Sequence, residues 1–154
     1  LLESRGLGDV YKRQRQNNLE FLLEIITSKE CEANDEDILN VVNNIYRIGV
    51  RPDWWKLEPL KEKENWLKLE ELIFKWDKFC RGVLLLGLDR PINKLDVCFK
   101  LAKSSKIVKG FAVGRSIFGK VAENWFSGKI SNSDAIELMS KNFIKLCNLW
   151  NKKI

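Results

Sequence analysis

The chain has 154 residues, of which 45% are hydrophobic and 31% are charged, the proportions of a soluble globular protein. No apolar run approaches the ~20 residues that cross a bilayer, and no signal-peptide pattern begins the chain. We therefore expect a cytoplasmic protein without a membrane partner. The net charge of +6 comes from lysines and arginines interleaved with acids rather than from a basic block, which argues against a nucleic-acid partner.

The sequence also limits the available chemistry, because it contains no histidine and its four cysteines form no CxxC pair. Metal-ligand spacing and the commonest general base are therefore absent. We expect reduced, mostly buried cysteines, no metal and no other cofactor. Any catalysis would depend on lysine, carboxylate, tyrosine or serine side chains. The cysteines are Cys31, Cys80, Cys98 and Cys147.

Residues 1–14 are interpreted separately because they lack hydrophobic periodicity and contain two closely spaced glycines. The string RGLGDVYKRQ resembles a translated sequencing adapter, so we treat this segment as not native. A natural flexible tail is the alternative.

From residue 15 onward, short apolar runs alternate with amphipathic stretches. The first strand is predicted at Phe21–Ile26 and is followed by a helix that Asn34 caps and Gly49 ends. A second strand is predicted at Trp54–Glu58, with a long helix after Pro59.

The second half of the chain repeats the pattern. A third strand is predicted at Gly82–Gly87 and is followed by a helix with Pro91 in its first turn. A fourth strand is predicted at Gly110–Val113 and is followed by a helix that Ser116 caps. A last helix is predicted over Ser133–Lys152. The predicted inward faces comprise Ile38, Val41, Val42, Ile45, Trp66, Leu69, Ile73, Trp76, Cys80, Leu95, Cys98, Phe99, Ala102, Phe118, Val121, Ala122, Trp125, Ile136, Met139, Phe143, Cys147 and Trp150.

This alternation of strands and helices predicts an α/β fold with a parallel sheet. A complete (β/α)₈ barrel takes ~250 residues, so four units indicate half of a barrel. A small doubly wound sheet is the alternative, although the glycine-rich first turn typical of that fold is missing.

The second predicted strand contains the best candidate for catalysis. Lys56 and Glu58 lie two residues apart and therefore point to the same side of the strand. Burial lowers the pKa of a lysine, whose free amine can then form a Schiff base with a carbonyl. Glu24, inside an apolar strand, could serve as an acid–base group beside Lys56. The alternatives are a structural ion pair for Lys56 and a solvent-facing position for Glu24.

The fourth predicted strand runs into a turn with the physical parts of a phosphate site. Gly114 allows close approach of the backbone, and Arg115 and the free N–H groups of the next helix supply positive charge. The turn at Gly87 and Asp89 would form the opposite wall, and Trp54 and Trp55 could line the pocket. An ordinary glycine turn at Gly114 is the alternative.

Three segments, IGVRPDWWKLEP, RGVLLLGLDRP and VKGFAVGRSIFG, resemble the DUF2090 family, the aldolase-like domain found C-terminal to the kinase in 5-dehydro-2-deoxygluconokinases. The resemblance covers roughly residues 19–152. It implies a lyase of myo-inositol degradation that cleaves a phosphorylated keto-sugar acid, such as 5-dehydro-2-deoxy-6-phosphogluconate, to dihydroxyacetone phosphate and malonate semialdehyde.

A more distant similarity is to class I tagatose-bisphosphate aldolases, and it implies roles for individual residues. The similarity places the Schiff-base lysine at Lys56, the acid–base glutamate at Glu24, and phosphate binding at Gly87, Gly114 and Arg115. Glu58 would tune the lysine. The four strands would be strands 5–8 of the barrel.

The resemblance implies an upstream half barrel and a fused sugar-kinase domain as partners. We expect the half barrel alone to be inactive and to form homo-oligomers, because it exposes sheet edges. A non-catalytic barrel that binds sugar phosphates beside the kinase is the main alternative.

Overall fold

A computed structural model of the chain describes residue 9 and residues 12–26, 34–87 and 90–152. Four strands alternate with helices in chain order. The strands are β1 (Leu22–Glu24), β2 (Trp54–Leu57), β3 (Gly82–Leu86) and β4 (Val108–Ala112). The helices are α1 (Asp35–Arg47), α2 (Lys63–Trp76), α3 (Ile92–Ala102), α4 (Arg115–Phe126) and α5 (Asn132–Asn151). Residues 12–16 are also helical.

The four strands form one sheet in the order β1–β2–β3–β4, and every pair is parallel. The predicted α/β class with a parallel sheet is therefore confirmed. The order follows the chain without a reversal, whereas a doubly wound sheet reverses its strand order at a switch point. This topology is compatible with half of a (β/α)₈ barrel.

The two faces of the sheet have different surroundings. The helix face, which includes Trp55, Leu57, Val83 and Leu85, is fully buried in a core shared with the helices. The alternate positions form the open face, which includes Glu24, Lys56 and Leu84 and lies outside that core. Because side chains alternate along a strand, packing the helix face determines which residues point to the open face.

Side-chain caps explain where two of the helices begin. The Asp37 backbone N–H donates to Asn34 Oδ1 at 2.9 Å, and the Asn34 N–H donates back to Asp37 Oδ2 at 3.1 Å, as the predicted N-cap requires. An equivalent pair joins Ser131 and Asp134 before α5, where hydrogen bonds from Ser131 hold the pKa of Asp134 below its usual value.

Three local predictions were wrong. Gly114 rather than Ser116 is the N-cap of α4, and the Ser116 hydroxyl has no hydrogen-bond partner among the described residues. Pro91 is the N-cap of α3 and not part of its first turn. Cys80 is buried, but it lies beyond the end of α2, in the segment that leads into β3.

The predicted inward faces of α2 and α3 are largely confirmed, but those of α1 and α5 are rotated. In α1 the core contains Leu39 and Tyr46, while Val41 is 37% exposed. In α5, Ile136 and Phe143 are 63% and 51% exposed. Because one residue corresponds to about 100° around a helix, a shift of one position moves the inward stripe to a neighbouring face.

The other predicted inward residues differ in how deeply they are buried. The residues of this set that are buried are Ile38, Val42, Trp66, Leu69, Ile73, Leu95, Phe99, Ala102 and Val121. Phe118 and Trp125 are 43% and 42% exposed, and the Trp125 indole N–H donates to Asn132 Oδ1. Trp76 and Trp150 are half-buried against the core, as expected for packing between helices.

The cysteines and the chain ends were also subjects of prediction. Cys80, Cys98 and Cys147 are free thiols, and the first is buried while the other two are half-buried. Cys31 and most of residues 1–14 lie outside the described residues, so the interpretation of that segment stays a prediction. None of the helices in the described part of the chain combines the length and apolar character needed to span a bilayer.

One hydrogen bond in the core joins β2 to α1. The Trp55 indole N–H donates to the Tyr46 hydroxyl at 2.8 Å, and both side chains are fully buried. Burial raises the pKa of the Tyr46 hydroxyl well above its ordinary value and also raises the pKa of the nearby Cys80 thiol. Both groups are therefore protonated in the folded protein at neutral pH.

A buried carboxylate joins the first two helices. Asp35, 8% exposed, accepts hydrogen bonds from the Lys61 and Glu62 backbone N–H groups at 2.9 and 3.1 Å. It also accepts one from Asn65 Nδ2 at 2.9 Å. Since Glu62 is the N-cap of α2, Asp35 fixes where that helix starts relative to α1.

We predict that Asp35→Ala lowers the free energy of unfolding by about 1.5–3 kcal/mol, because backbone donors lose a charged acceptor. Urea denaturation of both variants measures the effect. Glu36→Ala is the matched control, because Glu36 is an exposed carboxylate in the same helical turn, and its cost should stay within about 0.5 kcal/mol. Equal losses in the two variants would contradict the role assigned to Asp35.

We also predict that stability decreases at alkaline pH. Unfolded cysteine and tyrosine lose their protons near 9.0 and 10.0, whereas the folded protein keeps the protons of Cys80 and Tyr46 to higher pH. The stabilisation is thus complete below these values and is lost as the pH rises through and above them. Urea denaturation between neutral and alkaline pH measures this slope.

Tyr46→Phe tests the same cluster. The variant should lose about 1–3 kcal/mol at neutral pH, because Trp55 Nε1 loses its acceptor. Its stability should then decline less steeply above pH 10 than that of the wild type. An unchanged slope would show that Tyr46 does not contribute to the alkaline loss.

Candidate active site

The carboxyl ends of β1 and β2 bring two predicted residues together. Glu24 and Lys56 are register partners in the parallel pair, and their side chains both project from the open face. Lys56 Nζ lies 3.1 Å from Glu24 Oε1, and the two side chains are 21% and 35% exposed. The distance corresponds to a charge-assisted hydrogen bond at the rim of the sheet.

This pair lies in a cavity of about 380 Å³ that is bounded by the ends of β3 and β4 and by the start of α4. The cavity is therefore within the size range of small-molecule sites, about 300–1,000 Å³. Five of the six predicted site residues line it: Glu24, Lys56, Gly87, Gly114 and Arg115. Residues distant in the sequence thus converge where parallel sheets usually bind ligands.

The sixth predicted residue and both tryptophans lie elsewhere. Glu58 is half-buried just past β2 and does not line the cavity. Trp55 belongs to the helix face and is buried in the core, so the prediction that it lines the pocket was wrong. The Trp54 indole N–H donates to Glu20 Oε2 at 2.6 Å, at the amino end of β2 and away from the cavity. Asp89 lies outside the described residues.

Two glycines shape the wall of the cavity next to Arg115. A Cβ on Gly87 would lie 2.7 Å from Val113 Cγ1, so only glycine allows the ends of β3 and β4 to approach this closely. A Cβ on Gly114 would lie 3.1 Å from the Phe118 ring. The small size of both residues leaves backbone accessible at the mouth of the cavity.

Several residues of the cavity were not identified from the sequence. These are Ile26, Leu86, Ala112, Val113, Ser116 and Phe118. Most of them lie at or just past the end of a strand or begin α4. That position in the sequence is the signal that could have predicted their place in the cavity. Phe118 was assigned to the core because helical periodicity does not distinguish a core-facing side chain from one that faces a cavity.

The charges of the cavity define what it can bind and do. Lys56 and Arg115 provide two positive groups and Glu24 one negative group, which favours an anionic ligand. An amine within hydrogen-bond distance of a carboxylate can transfer a proton to it when a carbonyl compound binds. Among the described residues, no group of three cysteine, aspartate or glutamate side chains is arranged to hold a metal ion.

Comparison with known proteins places the sequence in a family. No curated protein matches the sequence. A family model described as an uncharacterized protein conserved in bacteria, DUF2090, matches residues 2–154. Because that match covers nearly the whole chain, the protein belongs to the DUF2090 family.

Proposed function

We propose that this chain carries the active site of a class I, Schiff-base-forming aldolase-type lyase that acts on a phosphorylated keto-sugar acid. The observation that carries the proposal is the Lys56–Glu24 pair, 3.1 Å apart, in the same cavity as Arg115. A lysine nucleophile, an adjacent proton acceptor and a cationic anchor are the groups that this reaction requires.

The complete domain in this proposal is a (β/α)₈ barrel. The strand order follows the chain, and the core lies on one face of the sheet, which is the arrangement of consecutive units in a (β/α)₈ barrel. The four strands would be strands 5–8. An upstream half barrel would then cover the open face and enclose Lys56.

The reaction begins with proton transfer from the Lys56 ammonium to the Glu24 carboxylate. The free amine attacks the keto carbon and forms a C–N bond, and the resulting carbinolamine loses its hydroxyl as water after protonation by Glu24. The product is an iminium ion on Lys56.

Carbon–carbon cleavage follows from the positive charge on the iminium nitrogen. A base removes the proton of the hydroxyl group on the second carbon from the iminium carbon. The bond between that carbon and the one next to the iminium carbon breaks, the hydroxyl-bearing carbon becomes an aldehyde, and the bond's electrons form the enamine C=C as the C=N π electrons move to the nitrogen. The resulting enamine takes a proton on carbon, and water hydrolyses the iminium to release the phosphorylated ketone. For 5-dehydro-2-deoxy-6-phosphogluconate, the products are malonate semialdehyde and dihydroxyacetone phosphate.

Arg115 and the backbone at Gly114 are assigned to the phosphate group of the substrate. A guanidinium binds phosphate through parallel hydrogen bonds, and the residues that begin α4 line the same cavity. Holding the phosphate at this end of the cavity would place the keto group toward Lys56.

A second function is favoured by the same ion pair. A purely structural ion pair would have the same geometry, with the lysine bound to a carboxylate. This geometry supports a non-catalytic barrel that binds sugar phosphates beside a sugar kinase. The two functions differ in one observable property, because only the aldolase forms a covalent imine.

We predict that borohydride reduction in the presence of dihydroxyacetone phosphate attaches the ligand covalently to Lys56. The full chain is used, and peptide mass spectrometry locates the adduct. Imine formation requires only Lys56, Glu24 and the cavity, so this readout does not depend on complete turnover.

Lys56→Met should abolish the adduct, while the control Lys109→Met, which changes an exposed lysine of β4, should retain it. Phosphate-ester binding without any adduct in a folded wild-type chain would favour the non-catalytic function. An adduct on other lysines alone would contradict the role of Lys56.

We predict that Glu24→Gln slows imine formation by about 10²–10⁴-fold, because the amide cannot accept the ammonium proton. Rapid quenching with borohydride measures the rate. Glu137→Gln, which alters an exposed glutamate of α5, is the control. A rate in Glu24→Gln equal to that of the control would contradict the proton-transfer role of Glu24.

A further inference from the structure

A second cavity, of about 520 Å³, lies next to the first and on the other side of Arg115. Its walls come from the residues that precede α3, from the first three turns of α4 and from one side chain of α5. The lining residues are Arg90, Pro91, Arg115, Ser116, Ile117, Gly119, Lys120, Glu123 and Asn142. Arg115 and Ser116 line both cavities, whereas Lys56 and Glu24 line only the first.

Positive charge predominates in this second cavity. Arg90, Arg115 and Lys120 each contribute one positive charge and Glu123 one negative charge, so the described lining residues carry a formal charge of +2. Lys120 Nζ lies 2.9 Å from Glu123 Oε2, but this pair is exposed to solvent and is therefore weak. Cations from two separate segments of the chain converge on one concave surface, which is the arrangement that attracts a small anion.

The elements that carry these cations are held in place. The Arg90 backbone N–H donates to the Gly87 carbonyl oxygen at 3.0 Å, and one guanidinium nitrogen lies 3.4 Å from Cys98 Sγ. Asn142 Nδ2 donates to the Ile117 carbonyl oxygen at 2.8 Å and thereby joins α5 to α4. These contacts therefore hold two walls of the cavity in place, the Arg90 segment and the junction between α4 and α5.

The lining also indicates the kind of anion. Two guanidinium groups can each form paired hydrogen bonds to a tetrahedral oxyanion. None of the described residues that line the cavity is aromatic, so these residues offer a nucleoside base no stacking surface. The chemistry fits a compact phosphate group better than a nucleotide or a nucleic acid.

We propose that Arg90, Arg115 and Lys120 form a second phosphate-class anion site, separate from the Lys56 cavity and adjacent to it through Arg115. The site is independent of imine chemistry. Because Arg115 lines both cavities, an anion in the second one competes for the guanidinium that the proposed function assigns to the substrate phosphate. Phosphate bound in the second cavity would then weaken the binding of substrate in the Lys56 cavity.

The test is a titration of the full chain with inorganic phosphate, followed by isothermal calorimetry and by amide chemical shifts at constant ionic strength. The double variant Arg90→Gln/Lys120→Gln should lose at least about tenfold in affinity at this site, as expected for lost charge-assisted hydrogen bonds. The control Arg47→Gln/Lys141→Gln removes the same charge from exposed helix positions, and Lys141 also pairs with a glutamate of its own helix. Circular dichroism verifies that all variants are folded.

The outcomes separate this site from the proposed aldolase site. If both exist, Arg115 is shared, so the wild type binds a first phosphate tightly and a second one more weakly, the double variant loses one of the two, and Lys56→Met leaves the second cavity occupied. If only the second site exists, the wild type binds one phosphate and the double variant none. Equal affinity in the double variant and its control, or no saturable binding to the wild type, would overturn the second site. Equal losses of phosphate affinity in Lys56→Met and in the double variant would also overturn it, because they would show that the two cavities bind phosphate as a single site.

Discussion

The alternation of side chains along β2 connects the stability of this protein to its candidate chemistry. Trp55 and Leu57 are fully buried beneath the helices, and this burial fixes the rotation of the strand about its own axis. Lys56, between them, must then project from the opposite face, where register pairing places it beside Glu24. A register slip of one residue would move the lysine into the core and both apolar side chains out of it, so packing energy maintains the position of the lysine.

Polar tethers at the ends of the elements determine where the remaining site residues lie. Asp35 anchors the start of α2, and Glu70 accepts hydrogen bonds from Ser105 Oγ and the Lys106 N–H, which holds the segment that leads into β4. The Glu70 contacts fix the beginning of β4, and just past the other end of that strand Gly114 begins α4 without a side-chain cap. Arg115 is consequently placed between two cavities, and this position underlies both the assigned phosphate contact and the inferred second anion site.

The Lys56–Glu24 pair is unusual for its location. Partly exposed ion pairs contribute little to stability, and the neighbouring open-face residues include Leu84 and Leu86, which offer no polar support. Folding therefore gains little from a charged pair at this point. A proton-transferring pair, in contrast, must be accessible to a ligand and to water, and the partial exposure of both side chains satisfies that requirement.

The sequence alone was sufficient for the α/β class, the four strands, the limits of α1 and α5 and five residues of the cavity, because apolar runs, caps and strand-end positions are local signals. The sequence did not predict the burial of Trp55 in the core or the rotated inward faces of α1 and α5. It also did not predict that the Ser116 hydroxyl has no hydrogen-bond partner within the described part of the chain. Those features depend on which neighbours pack against each side chain, and a periodic pattern is compatible with several adjacent faces. Tertiary structure alone decided that Arg90 and Lys120, 30 residues apart, share a cavity with Arg115, since only the folding of separate elements against one sheet brings such residues together.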